Sequence, residues 1–266
     1  MALALAALIG IAVGLIMGLT GAGGGMLAVP ALVYSQGWSM QQAMPVALLA
    51  VSSGALIGAI DGLRRGQVRY KAATLMAIVG APMTSLGVWV AKDMSQKTLM
   101  LAFSGVLTIV VVRLVRQALR SVDESINPSA IALVNASTGR FDWNLKTATI
   151  ISLIGSCAGF ATGMLGVGGG FIIVPLLRHF TNLTMQSAAA TSLMVISLVG
   201  SVAVGSALLH GAELPMAFSS LFAATSITGV LLGRRIANFL PSKTVQLIFA
   251  GMLAMVAMSF VWKVLH

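Results

Sequence analysis

The sequence has very little charge and almost no reactive side chains. Of its 266 residues, 8% are Asp, Glu, Lys or Arg, six are acidic, and one is a cysteine, Cys157. Soluble globular domains carry about 25% charged residues, so the deficit excludes a soluble enzyme, a nucleic-acid-binding protein and a disordered chain. A single cysteine excludes an internal disulfide, and no Cys/His cluster has the spacing of metal ligands. We therefore expect no metal and no cofactor.

An intramembrane enzyme is an alternative that the same scarcity argues against. Such an enzyme needs a convergent nucleophile or acid/base set. Asp61 is the only carboxylate inside or near an apolar segment, and no histidine lies at the centre of one. The sequence therefore predicts no catalytic residue.

What the sequence does have is long apolar runs. It is 58% hydrophobic, with a mean hydropathy of +0.99. A transmembrane helix needs about 20 apolar residues, and continuous runs favour helices over a barrel, whose strands alternate. We predict an all-α polytopic membrane protein in a lipid bilayer, with ten segments of which two are too short to span. These segments are 3–22, 26–36, 40–63, 72–91, 97–119, 147–165, 171–181, 185–209, 215–233 and 244–265.

The chain also repeats itself. Residues 10–66 align with residues 155–211 without a gap, and the match continues to the end after a one-residue shift. The sequence therefore predicts two copies of one five-segment unit: a first transmembrane repeat over 1–119, a polar cytoplasmic connection over 120–146 and a second repeat over 147–266.

The charges predict that the two copies are inverted relative to each other. The loop over 64–71 carries four basic residues, whereas the equivalent loop around Gly211 carries Glu213 and none. Placing the 64–71 loop in the cytoplasm leaves only Lys92, Lys97 and Lys263 of the 16 basic residues outside. This obeys the positive-inside rule, predicts that both termini face outside, and explains the net charge of +10 without nucleic acid.

Glycines recur every four residues in the first segment of each repeat. They are Gly10, Gly14 and Gly18, and their equivalents Gly155, Gly159 and Gly163. Residues four apart share one helix face, and a face without side chains lets another helix approach closely in a membrane. We interpret these six glycines as packing residues.

A second glycine pattern follows each stripe, Gly21-Ala-Gly-Gly-Gly25 and Gly166-Val-Gly-Gly-Gly170. Three consecutive glycines break a helix, and the next segment is half a bilayer long, with Pro30 or Pro175 near its start. Interrupted segments at matching positions of inverted repeats indicate the midplane site of a transporter, and glycine N–H groups at a helix N-terminus favour an anion. Tight packing at a helix break is the alternative. The candidate substrate-binding glycines are Gly23, Gly24, Gly25, Gly168, Gly169 and Gly170.

Polar residues of the third segments are candidates to complete this site. Gln41 is equivalent to Gln186 and Ser52 to Ser197, and the second repeat adds Thr191 and Ser192. Hydroxyl and amide groups suit an oxyanion that must also leave, although such side chains also hold membrane helices together.

Two further polar features stand at the ends of the third segments. Asp61 is the only candidate for carrying a coupling proton, with an interfacial ion pair to Arg64 and Arg65 as its alternative role. At the start of the 40–63 segment, Ser39 and Gln42 have the spacing of a capping box.

The doubled motif resembles a known family. The stretches from Gly18 to Pro30 and from Gly163 to Pro175, followed by Ala190-Thr-Ser-Leu193, are similar to those of the TauE/SafE sulfite exporters. The resemblance covers nearly the whole chain, and the first repeat departs from it with Pro45-Val-Ala-Leu48. It implies a permease for a small anion, sulfite or an organosulfonate first, in a bacterial inner membrane. A transporter of a small carboxylate or other anion, and a non-transporting membrane scaffold, remain alternatives.

Overall fold

The computed structural model describes residues 2–21, 24–119, 132, 141–212, 214–237 and 239–265. They form ten α-helices and one 3-10 turn, Gly24–Leu27, and contain no β-strand. Ala132, in the connection, forms an isolated parallel bridge with Thr181. The helices are α1 Ala2–Thr20, α2 Ala28–Gln36, α3 Met40–Arg64, α4 Tyr70–Asp93, α5 Gln96–Leu119, α6 Leu145–Leu165, α7 Gly170–Phe180, α8 Met185–Leu209, α9 Met216–Ala237 and α10 Ser242–Leu265.

The predicted class, an all-α polytopic membrane protein, is confirmed. Seven of the described helices are long and apolar enough to cross a membrane, and each of the ten predicted segments corresponds to one helix. The sequence predicts eight spans, and the difference is α1, whose apolar part, Ala4–Thr20, is shorter. Its 19 residues still give about 28 Å of helix, close to the thickness of the hydrocarbon core.

Two local expectations need correction. Pro175 is the sixth residue of α7, because that helix already begins at Gly170. In the first repeat the 3-10 turn starts at Gly24, so the helical segment there also begins before the expected residue 26. Both glycine breaks are therefore shorter than the sequence indicates, because the 3-10 turn includes Gly24 and Gly25 and α7 includes Gly170.

The starts of α3 and α8 are capped by side chains. Ser39 accepts a hydrogen bond from the Gln42 N–H, and the Gln42 side chain accepts one from the Ser39 N–H, which confirms the capping box. At the equivalent start of α8, Thr184 accepts from the Ser187 N–H. These caps satisfy N–H groups that have no partner within the helix. They also fix the residue at which each long helix begins after the half-length segment.

The glycine stripes pack helices of different repeats together. α1 lies against α9, and α6 lies against α4. A Cβ on Gly14 would overlap the carbonyl oxygen of Ser226, and one on Gly159 would overlap that of Gly80. Their partners contribute glycines as well, since Gly229 of α9 meets α1 in the same way. The packing role expected for the stripes is confirmed, and each stripe contacts the fourth helix of the other repeat.

At the centre, the equivalent helices α3 and α8 lie side by side and antiparallel. Gly62 packs against Ala190, Gly58 against Leu193, and Gly200 against Ser52, so the residue numbers fall on one helix as they rise on the other. α5 and α10 also pack together, with the rings of Phe103 and Phe260 5.7 Å apart. The two pairs α3–α8 and α5–α10 each join one helix from either half of the chain.

Candidate functional site

The two glycine breaks meet beside the α3–α8 pair. A Cβ on Gly25 would lie 2.9 Å from the side chain of Val51, and one on Gly168 would lie 3.0 Å from the side chains of both Val51 and Ile196. The same Cβ on Gly25 would lie 3.5 Å from the carbonyl oxygen of Val167. Val51 and Ile196 are equivalent residues of the two repeats. The two breaks therefore approach each other beside Val51 and Ile196.

Several of the triglycine residues also have a structural reason to be glycine. A Cβ on Gly24 would overlap the backbone of Met17. Gly169 has a φ of +60°, and its Cβ would lie 2.7 Å from Thr162 Oγ1 and 2.8 Å from the Ala158 carbonyl oxygen. A side chain at either position would strain the fold whether or not an anion binds there. Gly23 lies outside the described residues.

The second break opens onto a cavity of about 270 Å³, here called the break cavity. The first residues of α7, Gly170 and Phe171, line it together with Arg113 and Gln117. The first N–H groups of an α-helix have no partner within the helix, and the helix dipole makes this end partially positive. The break cavity therefore combines a positive helix end with a guanidinium group.

Two more cavities occupy opposite ends of the α3–α8 pair. The large cavity, about 760 Å³, is lined by the first half of α3 and the end of α8, and the small cavity, about 180 Å³, by the second half of α3 and the start of α8. Their linings correspond through the repeat. The equivalent lining pairs are Gln41 and Gln186, Met44 and Ala189, Pro45 and Ala190, Leu48 and Leu193, Gly163 and Gly18, Ala212 and Gln67, and Val88 and Arg234.

The two candidate glutamines occupy these equivalent cavities. Gln41 lines the large cavity, and its Nε2 donates to the carbonyl oxygen of Met94 at 2.9 Å. Gln186 lines the small cavity, and its side chain is exposed. The structure thus places the glutamines apart, one at each end of the α3–α8 pair, and leaves the amide of Gln186 accessible from the small cavity.

The candidate hydroxyls are mostly engaged in the helical framework. Ser52 donates to the Leu48 carbonyl oxygen and Ser197 to that of Met194, each within its own helix. Thr191 accepts a hydrogen bond from the Arg69 N–H at 3.0 Å and so attaches the loop before α4 to α8. Ser192 is fully buried, and its hydroxyl has no hydrogen-bond partner. Three of the four candidate hydroxyl groups are therefore hydrogen-bonded to the backbone.

Asp61, the candidate proton carrier, is held between two guanidinium groups. Its Oδ1 lies 3.1 Å from Arg65 Nε, and its Oδ2 lies 3.1 Å from an Arg234 guanidinium nitrogen. Arg64 and Arg65 are the neighbours expected from the sequence, whereas the pairing with Arg234 of a distant helix is not expected. One feature of the sequence could have indicated this pair. Arg234 is charged, whereas the equivalent residue of the first repeat is the apolar Val88.

Comparison with known proteins agrees with this architecture. A protein from Xylella fastidiosa (strain 9a5c), described as a probable membrane transporter protein, is 26% identical over 254 residues, 94% of this chain and 92% of its own length. The probable membrane transporter proteins YjnA and YunE of Bacillus subtilis (strain 168) are each 24% identical, over 92% and 73% of this chain and 94% and 75% of their own lengths. No solved structure matches the chain at a significant level.

The family comparison covers nearly the whole molecule. The sequence model described as sulfite exporter TauE/SafE matches residues 6–260, which include α2 to α9, most of α1 and α10, both glycine breaks and the linings of the three cavities. The chain therefore belongs to the TauE/SafE sulfite exporter family of membrane transporters.

Proposed function

We propose that this protein is a secondary transporter of a small oxyanion, sulfite or an organosulfonate first and a small carboxylate second, in a bacterial inner membrane. The observation that carries the proposal is the pair of repeat-equivalent cavities of unequal volume at opposite ends of the α3–α8 pair. Alternating access needs two such openings, one wide while the other is narrow, and a duplicated fold provides both from one set of contacts.

The chemistry of the cavities favours an anion over a cation. None of the described residues that line the three cavities is acidic, whereas Lys92, Arg113 and Arg234 are among them. A cation site inside a membrane protein normally uses a carboxylate. The partial charge at the α7 N-terminus adds to the positive potential, and we place the anion close to the two glycine breaks, with their N–H groups as donors.

The packing of the glycine stripes supports a particular mode of movement. Because α1 is joined to α9 and α6 to α4 through backbone contacts, the units that move relative to each other contain helices from both repeats. One unit is α1 with α9, and the other is α4 with α6. Their displacement along the α3–α8 pair would exchange the volumes of the large and small cavities.

Substrate counterflow into proteoliposomes tests the proposal without knowledge of the coupling ion. Vesicles loaded with unlabelled sulfite, methanesulfonate or acetate are diluted into a trace of the same labelled compound, and a carrier concentrates the label transiently inside. We expect accumulation with sulfite or methanesulfonate. Accumulation with acetate alone would select the carboxylate alternative, and no accumulation with any of the three would contradict anion transport.

The membrane orientation has its own test. In a Cys157→Ala background, which removes an exposed cysteine, we introduce single cysteines at the exposed positions Arg64 and Lys92. Because the charge split places the 64–71 loop inside and Lys92 outside, an impermeant maleimide added to intact cells should label the Lys92→Cys variant and spare Arg64→Cys. Permeabilised cells provide the control, since both positions should then react. Labelling of Arg64→Cys from outside would overturn the inverted orientation.

A further inference from the structure

One ion pair breaks the equivalence of the two cavities. Arg234 of α9 lines the small cavity and lies 3.1 Å from Asp61 of α3. Both side chains are partly buried, with 33% and 35% of their surface exposed. Of the described residues that line the small cavity, Arg234 is the one that carries a charge. An anion that enters this cavity therefore meets a single guanidinium group, already shared with a carboxylate.

The equivalent positions at the large cavity hold no such pair. Arg234 corresponds to Val88, which lines the large cavity, and Asp61 corresponds to Ser206, whose carbonyl oxygen accepts from the N–H of His210. α3 contacts α9 at one end, and α4 contacts α8 at the other. The α3–α9 contact beside the small cavity thus contains an ion pair, whereas the equivalent positions of the α4–α8 contact beside the large cavity do not.

The geometry of Arg234 allows it to serve two partners. A guanidinium group has five N–H donors, and Asp61 occupies one nitrogen. The planar fork fits the oxygens of a small oxyanion in a bidentate fashion, and such charge-assisted hydrogen bonds are among the strongest available. An anion bound to Arg234 neutralises the charge that attracts Asp61. The contact between α3 and α9 then weakens, and the small cavity can widen.

We propose that Arg234 is the anion-binding residue of the small cavity and that its ion pair with Asp61 closes that cavity when no anion is bound, an inference that rests on the proposed transport function. The substrate thereby opens the cavity in which it binds. Asp61 acts as a positioning residue that holds Arg234 between α3 and α9 and competes with the anion for it.

The test measures closure and binding separately in purified protein. Closure is the maleimide labelling rate of a cysteine at Gln67, which lines the small cavity, in a Cys157→Ala background. Binding is the affinity for sulfite by calorimetry. Asp61→Asn should raise the labelling rate about five-fold, as expected for loss of one partly exposed ion pair, and should tighten sulfite binding. Arg234→Gln should raise the labelling rate equally but weaken sulfite binding roughly 10- to 100-fold, because hydrogen bonds to a charged group are lost.

Three variants separate the proposal from a merely structural role. Arg65 also pairs with the Asp61 carboxylate, but it does not line the small cavity. Arg65→Gln should therefore change neither the labelling rate nor the sulfite affinity. The exchange Asp61→Arg with Arg234→Asp should restore slow labelling but not sulfite binding. Arg234→Lys keeps the positive charge without the planar guanidinium group. Its sulfite affinity should lie between those of the unaltered protein and Arg234→Gln, which would show that a folded protein tolerates substitution at this position.

The outcomes that overturn the proposal are distinct. Wild-type labelling rates in both Asp61→Asn and Arg234→Gln would remove the closing role, and wild-type sulfite affinity in monodisperse Arg234→Gln would remove the binding role. If the unaltered protein carries no anion in counterflow while the charge variants still label faster, the transport function fails and the ion pair remains a structural latch only.

Discussion

Gly14→Ala is expected to lower the stability of the folded protein strongly, and Gly159→Ala should do the same at the equivalent contact. A Cβ at Gly14 would overlap the carbonyl oxygen of Ser226, and one at Gly159 that of Gly80. The obstacle is backbone on the facing helix, so no side chain can rotate away, and the two helices must separate. Overpacking a well-packed core costs about 1–3 kcal/mol, which corresponds to a fall in melting temperature of roughly 2–12 °C. Size-exclusion yield and melting temperature in detergent measure the effect.

Matched controls come from glycines in open positions. A Cβ on Gly105 of α5 or Gly205 of α8 would meet no atom within 4 Å. Because alanine favours a helix by about 1 kcal/mol over glycine, Gly105→Ala and Gly205→Ala should leave the yield unchanged or raise it. A Gly14→Ala protein as stable as these controls would mean that α1 and α9 are not in backbone contact.

Gln186→Ala is expected to weaken sulfite binding strongly while the protein remains folded. The Gln186 side chain is exposed and lines the small cavity beside Arg234, so its amide can donate to an anion held there. Removing a hydrogen bond to a charged group costs about 1.5–3 kcal/mol, or roughly a 10- to 100-fold loss of affinity. Calorimetry with sulfite on monodisperse protein measures it.

The equivalent variant Gln41→Ala serves as its control. The Nε2 of Gln41 already donates to the Met94 carbonyl oxygen, so its loss should lower stability at the start of α3 more than it lowers sulfite affinity. Equal affinities in Gln186→Ala and the unaltered protein would exclude the amide from the anion site. Gly24→Ala and Gly169→Ala are poorer probes, because a Cβ there meets Met17 or Thr162 and disturbs the fold first.

The sequence predicts the features that depend on local rules. The capping box at Ser39 and Gln42 is confirmed, and so is the helical segment that follows each triglycine. Both are decided by residues within one or two helical turns of each other. The glycine stripe likewise predicts close packing, although its partner helix cannot be read from the stripe itself.

The features that escape the sequence depend on distant contacts. α1 packs on α9, and Asp61 pairs with Arg234 as well as with its neighbour Arg65. Nothing within a short window of sequence links α1 to α9 or Asp61 to Arg234. The role of a hydroxyl in a membrane helix is also ambiguous from sequence. Ser52 donates to the Leu48 carbonyl oxygen of the same helix, and a serine that binds substrate would look the same in the sequence.

The pairing of α1 with α9 has a consequence for how the chain assembles during synthesis. The glycine face of α1 enters the bilayer before its partner surface on α9, around Ser226 and Gly229, which leaves the ribosome some two hundred residues later. Until then lipid or a chaperone must cover that face, and the final packing of the first helix waits for the ninth. Each repeat expressed alone therefore lacks a partner for one stripe, whereas co-expression of residues 1–119 and 120–266 as separate chains supplies both interfaces and should reconstitute the carrier.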